Sequence, residues 1–172
     1  MIVPTATDLL RCVSETLRSK IEPVLTGSGE RSAAATVQHL LRFAVLRLER
    51  EGQVLCDDIA ALRQLLADFA AGLRELLPKD VNAIKLVADI EAGLTRAHRP
   101  VGAYPTLDSL AAEAGALREV LSGCQRFLHA RSVSEAARLR AQREAVKRYI
   151  VWQIEQETSF IEPAFAGHGP RR

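Results

Sequence analysis

Residues 57–78 read DDIAALRQLLADFAAGLRELLP, and their periodicity decides the fold class. Leu62, Leu65, Leu66, Phe69, Leu73, Leu76 and Leu77 recur every three or four positions, so they line one side of a helix with 3.6 residues per turn. Asp57 and Asp58 stand at the start, where carboxylates complement the positive dipole end. Pro78 ends the run because it offers no N–H and clashes with the preceding turn. A strand would need alternation with period two, which this segment lacks.

The same pattern repeats on both sides. Upstream, Pro4-Thr5 with Asp8 predicts a helix start, followed by the stripe Leu9, Leu10, Val13, Leu17 and Ile21 and closed by Pro23 and the Gly27-Ser28-Gly29 turn. A second helix is expected from about Ser32, with Val37, Leu40, Leu41, Ala44, Val45 and Leu48 inward and Gly52 as its stop. Downstream, Asp80 caps a helix with Val81, Ile84, Val87, Ala88 and Leu94 inward, ended by Pro100-Val101-Gly102. Thr106 caps another carrying Leu107, Leu110, Leu117, Val120, Leu121, Phe127 and Leu128, with Gly123 as a break point. Ser132 and Glu135 have capping-box spacing for the last. The reading is an all-α bundle of five to six helices, one domain over residues 1–162, followed by a mobile C-terminal tail over 163–172 that is rich in Pro and Gly.

Composition agrees. The chain has 172 residues, 48% apolar, 26% charged and only 5% aromatic, which fits a helical globular protein and disfavours a sandwich or barrel. Its formal charge is +2, with 13 residues of each sign through Pro100 and 10 basic against 8 acidic thereafter, too even to single out an acidic or basic partner. Cys12, Cys56 and Cys124 are odd in number and far apart. With no leader-like start and no long apolar run, the expected location is cytoplasmic, with no membrane contact. A weak echo at an offset of 101 residues links Pro4-Thr5 and Leu9 to Pro105-Thr106 and Leu110, and at 100 residues Arg31-Ser32 to Arg131-Ser132. Two helical hairpins of similar plan would produce it.

Chemical motifs are scarce. His39, His98, His129 and His168 are isolated, and no Glu-x-x-His or His-x-x-x-His pair sets two ligands on one helix face, so no metal, cofactor or catalytic residue is assigned. Ser28, Gly29, Arg31 and Ser32 precede a helix N-terminus, where an anion could meet free N–H groups, but the Gly-Lys-Ser/Thr of a phosphate loop is missing. Asp57-Asp58 reads as cap and dipole partners before it reads as a carboxylate pair. Arg131, Arg138, Arg140, Arg143, Lys147 and Arg148 form the densest basic stretch. The i,i+4 spacings Arg140–Glu144 and Glu144–Arg148 favour a salt-bridged surface over nucleic acid.

The last helix departs from the common pattern. Tyr149, Ile150, Val151 and Trp152 are consecutive and apolar, and Ile154 extends them. Four such positions span more than half a turn and cannot all face one core. They are the interface candidates, for a second copy or another protein, with a central position in the bundle as the competing explanation.

Val3-Pro4-Thr5-Ala6-Thr7-Asp8-Leu9-Leu10, Glu22-Pro23-Val24-Leu25 and Leu48-Glu49-Arg50-Glu51 resemble an uncharacterised family of small helical bacterial proteins, often encoded beside aminoglycoside-phosphotransferase-like kinases and acyl-CoA dehydrogenases. The likeness covers the first 52 residues. The family's mid-stripe Asn is replaced here, with Phe43 near its place. The resemblance implies an accessory role beside a kinase or acyl-CoA enzyme and transfers no catalytic residue. The expected function is therefore an interaction or accessory subunit. The alternative is a bundle that binds an acyl or aromatic molecule in its apolar interior.

Overall fold

The computed structural model describes residues 4–96 and 105–165, and the chain is all-α: among them there are six α-helices and no strand. They are α1 (Ala6–Thr16), α2 (Ser28–Leu76), α3 (Val81–Arg96), α4 (Leu107–His129), α5 (Val133–Arg138) and α6 (Arg140–Phe165). The expected loop at Pro100–Gly102, His98, His168 and the tail beyond Phe165 lie outside the described residues.

Two expected helices are one. Gly52 does not stop a helix; it lies within α2, which runs unbroken for 49 residues. A glycine inside a helix costs about 1 kcal/mol relative to alanine but keeps its N–H, and no proline falls between Pro23 and Pro78 to force an end. Asp57 and Asp58 are therefore mid-helix residues, not caps. Gly123 likewise sits inside an unbroken α4, and the last helix bends at Leu139 into α5 and α6. The first helix relaxes into a π-helical turn over Leu17–Ile21 and a 3₁₀ turn over Glu22–Val24 before Leu25.

Caps that the sequence offers at other helix starts do form. Thr5 Oγ1 accepts from the Asp8 N–H while the Asp8 carboxylate accepts from the Thr5 N–H. Thr106 Oγ1 accepts from Ser109, Asp80 from Ala83, and Glu135 from Ser132. Ser32, the supposed counterpart of Ser132, lies inside α2, so the internal echo does not extend to matching caps.

The chain divides into two compact units, residues 53–154 and residues 1–52 with 155–172. The first holds the core. Leu62, Leu66, Phe69 and Leu73 of α2 meet Ile90 of α3, Leu117, Leu121 and Cys124 of α4, and Leu139 and Val146 beyond, all buried. In α3 the buried face is rotated from the one expected: Val81 (78% exposed) and Ile84 (54%) point outward, and Ala83, Leu86, Val87, Ile90 and Gly93 point inward. Small residues select that face. A Cβ on Gly93 would stand 2.4 Å from Val120 Cγ2, so α3 and α4 approach closely only because Gly93 has none. Gly93→Ala is expected to destabilise by about 1–3 kcal/mol despite alanine's better helix propensity. Gly115→Ala, on the open side of α4 with nothing within 4 Å, should stabilise by about 0.5–1 kcal/mol. Urea titration of both variants checks the pair.

Three helix ends in this unit share a device that sequence reading does not anticipate. The last carbonyls of a helix have no partner within it. Here Arg63 donates to Leu94 O of α3 (3.2 Å), Arg138 to Leu76 O of α2 (3.0 Å), and Arg143 to Leu128 O of α4. Arg131 is buried instead under an ion pair with Asp80 (2.6 Å), its guanidinium 3.9 Å from the centre of the Phe127 ring. The Arg131 hydrogen bond and the Ala83 N–H hold the Asp80 carboxyl down to about 2.

The second unit is thinly packed. Arg11–Glu49 (2.5 Å) and Ser14–Gln38 (2.6 Å) join α1 to α2, and Phe160 is covered by the Arg47 and Arg50 guanidiniums. Ala34, His39 and Phe160 are its buried side chains among the described residues. Leu9, Val13, Ile21, Val24, Val37, Leu40, Leu48 and Ile161 are each at least 44% exposed. The stripes that predict these helices are real as patterns, but half of their members face outward.

Candidate functional site

The apolar run of the last helix is divided by its own geometry. Successive residues on a helix turn by 100°, so Tyr149, Ile150, Val151 and Trp152 cannot share a side. Tyr149 is buried, and Ile150 and Trp152 pack half-buried on the core, the Trp152 ring 6.1 Å from that of Tyr149. Val151 (47% exposed) and Ile154 (59%) face outward.

Behind Tyr149 lies a polar knot. Its Oη donates to Asp58 Oδ1 at 2.7 Å, and the Arg118 guanidinium donates to Asp58 Oδ2 at 2.6 Å. Burial, reinforced by the neighbouring carboxylate, pushes the Tyr149 phenol above its ordinary range. A parallel pair joins Arg63 to Glu113 at 2.9 Å. Asp57, one position from Asp58, is exposed and accepts from Gln53 instead, so the two acids do not form a carboxylate pair. Burial pushes the Cys124 thiol up to about 12, far from the thiolate that nucleophilic chemistry needs.

The outward side of the run borders an open groove of about 250 Å³ between α4 and α6. Leu128, Val146 and Ile150 supply its apolar wall, with His129, Lys147 and Val151 at the edge. No lining residue is acidic. Of the basic stretch, Arg131, Arg138 and Arg143 are engaged as described above, while Arg140, Lys147 and Arg148 are exposed. The Arg140–Glu144 and Glu144–Arg148 pairs that the spacing offers do not close. In the other unit, a second groove of about 340 Å³ runs between α1 and α2, its mainly apolar surface supplied by Leu41, Val45 and Leu46 and rimmed by Arg11, Ser14, Glu15, Arg42 and Glu49.

At the start of α2, Ser28, Gly29, Arg31 and Ser32 are all exposed. The Glu30 carboxylate accepts from the Gly27 N–H at 3.3 Å and the Arg31 guanidinium donates to Thr26 O at 2.9 Å. The chain's own carboxylate thus takes up an N–H that an anion would use. Among the described residues no three His, Cys, Asp or Glu side chains come together as metal ligands, and no helix is long and apolar enough to cross a membrane.

Sequence reading found Ile150 and Val151, which line the groove, but not the Asp58–Arg118–Tyr149 knot, whose members are 60 and 91 positions apart. One signal was available. Asp58 lies four residues before Leu62, and Glu113 lies between Leu110 and Leu117, so both acids sit within apolar stripes, where a carboxylate needs a partner. No family model, curated protein or solved structure matches the chain.

Proposed function

We propose that this chain is an interaction subunit that binds proteins through uncovered helical faces. The observation that supports this reading is the imbalance of the unit formed by residues 1–52 and 155–172. Among its described residues only three side chains are buried, little to offset the ordering of its helices, while eight large apolar side chains are each at least 44% exposed. A partner covering Leu9, Val13, Val37, Leu40 and Leu48 would supply the missing layer. The resemblance of residues 1–52 nominates the partners to try first, a kinase or an acyl-CoA enzyme encoded nearby, and a second copy of the chain comes next.

Hydrogen exchange tests the reading with an internal control, since α2 belongs to both units. Amides of residues 32–50 should exchange at least about 100-fold faster than those of 60–74 in the isolated chain, and slow on addition of a partner. Equal protection of the two stretches would overturn the proposal.

A further inference from the structure

We propose that the groove between α4 and α6 docks an acidic amphipathic helix from a partner protein, its apolar anchors against Leu128, Val146 and Ile150 and its carboxylates beside Arg140 and Lys147. The inference rests on the chain's being an interaction subunit but concerns other residues.

Charge defines the occupant. Residues 140–154 of α6 carry Arg140, Arg143, Lys147 and Arg148 against one acid, Glu144. Arg140 and Lys147 are seven residues apart, and so lie on one face of α6 two turns from each other. Neither has an ion-pair partner among the described residues. Nothing acidic lines the groove to compete with an incoming carboxylate.

Shape selects a helix over a small amphiphile. At about 250 Å³ the groove falls below the roughly 300–1,000 Å³ of small-molecule pockets, and it is open to solvent. Its apolar strip continues past the groove through Val151 to Ile154. From Val146 to Ile154 that is eight residue steps, about 12 Å or two helical turns, the span over which a docked helix places anchors at i, i+4 and i+7. An acyl chain laid there would keep one side in water, whereas a helix covers the strip with one face and presents its polar face to solvent.

The test uses the full chain and a labelled synthetic helix of about 15 residues with Leu at i, i+4, i+7 and i+11 and Glu on both flanks, read by fluorescence anisotropy. The expected Kd is on the order of 10–100 µM, weakened several-fold by raising NaCl from about 50 to 500 mM. Lys147→Glu and Val151→Asp should each weaken it at least about 10-fold, while Ile84→Asp, on an exposed face of α3, should not. Both groove positions are exposed, and circular dichroism verifies folding. Should Val151→Asp fail to fold, Lys147→Glu decides. Four results overturn the proposal: no binding of the acidic peptide below about 1 mM, equal binding of a peptide with Lys in place of Glu, unchanged binding by the groove variants, or displacement by dodecanoate or anionic phospholipid vesicles. Loss of this site with exchange still fast in residues 32–50 and slowed by a partner would leave the broader proposal standing.

Discussion

Asp58→Ala is expected to lower the unfolding free energy by about 2–4 kcal/mol in urea titration, with an unchanged dependence on denaturant concentration. Asp58 is 2% exposed and holds both the Tyr149 hydroxyl and the Arg118 guanidinium. Removing it leaves a buried hydroxyl without its acceptor and a cation without its counter-ion. Because the Arg118 side chain keeps 38% of its exposure, water screens part of that loss, and the figure falls below the roughly 3–5 kcal/mol of a fully enclosed pair. Tyr149→Phe, which removes only the hydroxyl, should cost about 1–2 kcal/mol and leave the groove intact. A loss under about 0.5 kcal/mol for Asp58→Ala would show that the knot contributes nothing to the fold.

The second large effect compares one substitution at two points on α2. Leu66 is fully enclosed and Leu40 is 57% exposed. Leu66→Ala should destabilise by about 2–5 kcal/mol, the lost transfer energy plus the cavity left behind. Leu40→Ala should change the isolated chain by no more than about 0.5 kcal/mol. Their order should change only in a complex: if a partner covers residues 37–48, Leu40→Ala will weaken that complex while leaving chain stability alone. Equal costs in the isolated chain would mean that Leu40 is already buried in solution.

Helix existence was legible because apolar period and capping chemistry are local, as Thr5 with Asp8, Asp80 with Ala83 and Thr106 with Ser109 illustrate. The stripe from Leu62 to Leu77 was read correctly for a stronger reason, since its residues are large, numerous and bounded by Pro78. What failed depends on the second layer. Nothing local distinguishes Val37 or Leu40 from Leu62 or Leu66, because each stripe is amphipathic and burial is conferred by whatever packs on it. The α3 face was misjudged because Ala83 and Gly93 carry little hydrophobic signal, yet their smallness admits α4. Gly52 misled because glycine marks a helix end only where a left-handed turn follows. Of the site, the crowding of apolar positions shows that some of the run must turn from the core, but not that Val151 and Ile154 are the ones that do. The groove beside them depends on α4 as well, and no spacing within α6 reveals it.

The arginines that cap helix ends bear on how the chain's amino-acid usage came about. Of its 23 basic residues 19 are arginine and four lysine. Such a skew is commonly put down to base composition of the gene or to nucleic-acid contact. Here part of it is architectural: Arg63, Arg138 and Arg143 satisfy helix-end carbonyls as a C-terminal glycine turn does, but from another helix, each reaching across to the carbonyl end of its neighbour. A lysine in those places would carry the same charge but not the planar fork that, in Arg63, meets the Glu113 carboxylate and the Leu94 carbonyl together. Codon drift from arginine to lysine, neutral by any tally of charge, would therefore be free at Arg140 or Arg148 and costly at Arg63, where one guanidinium serves two acceptors.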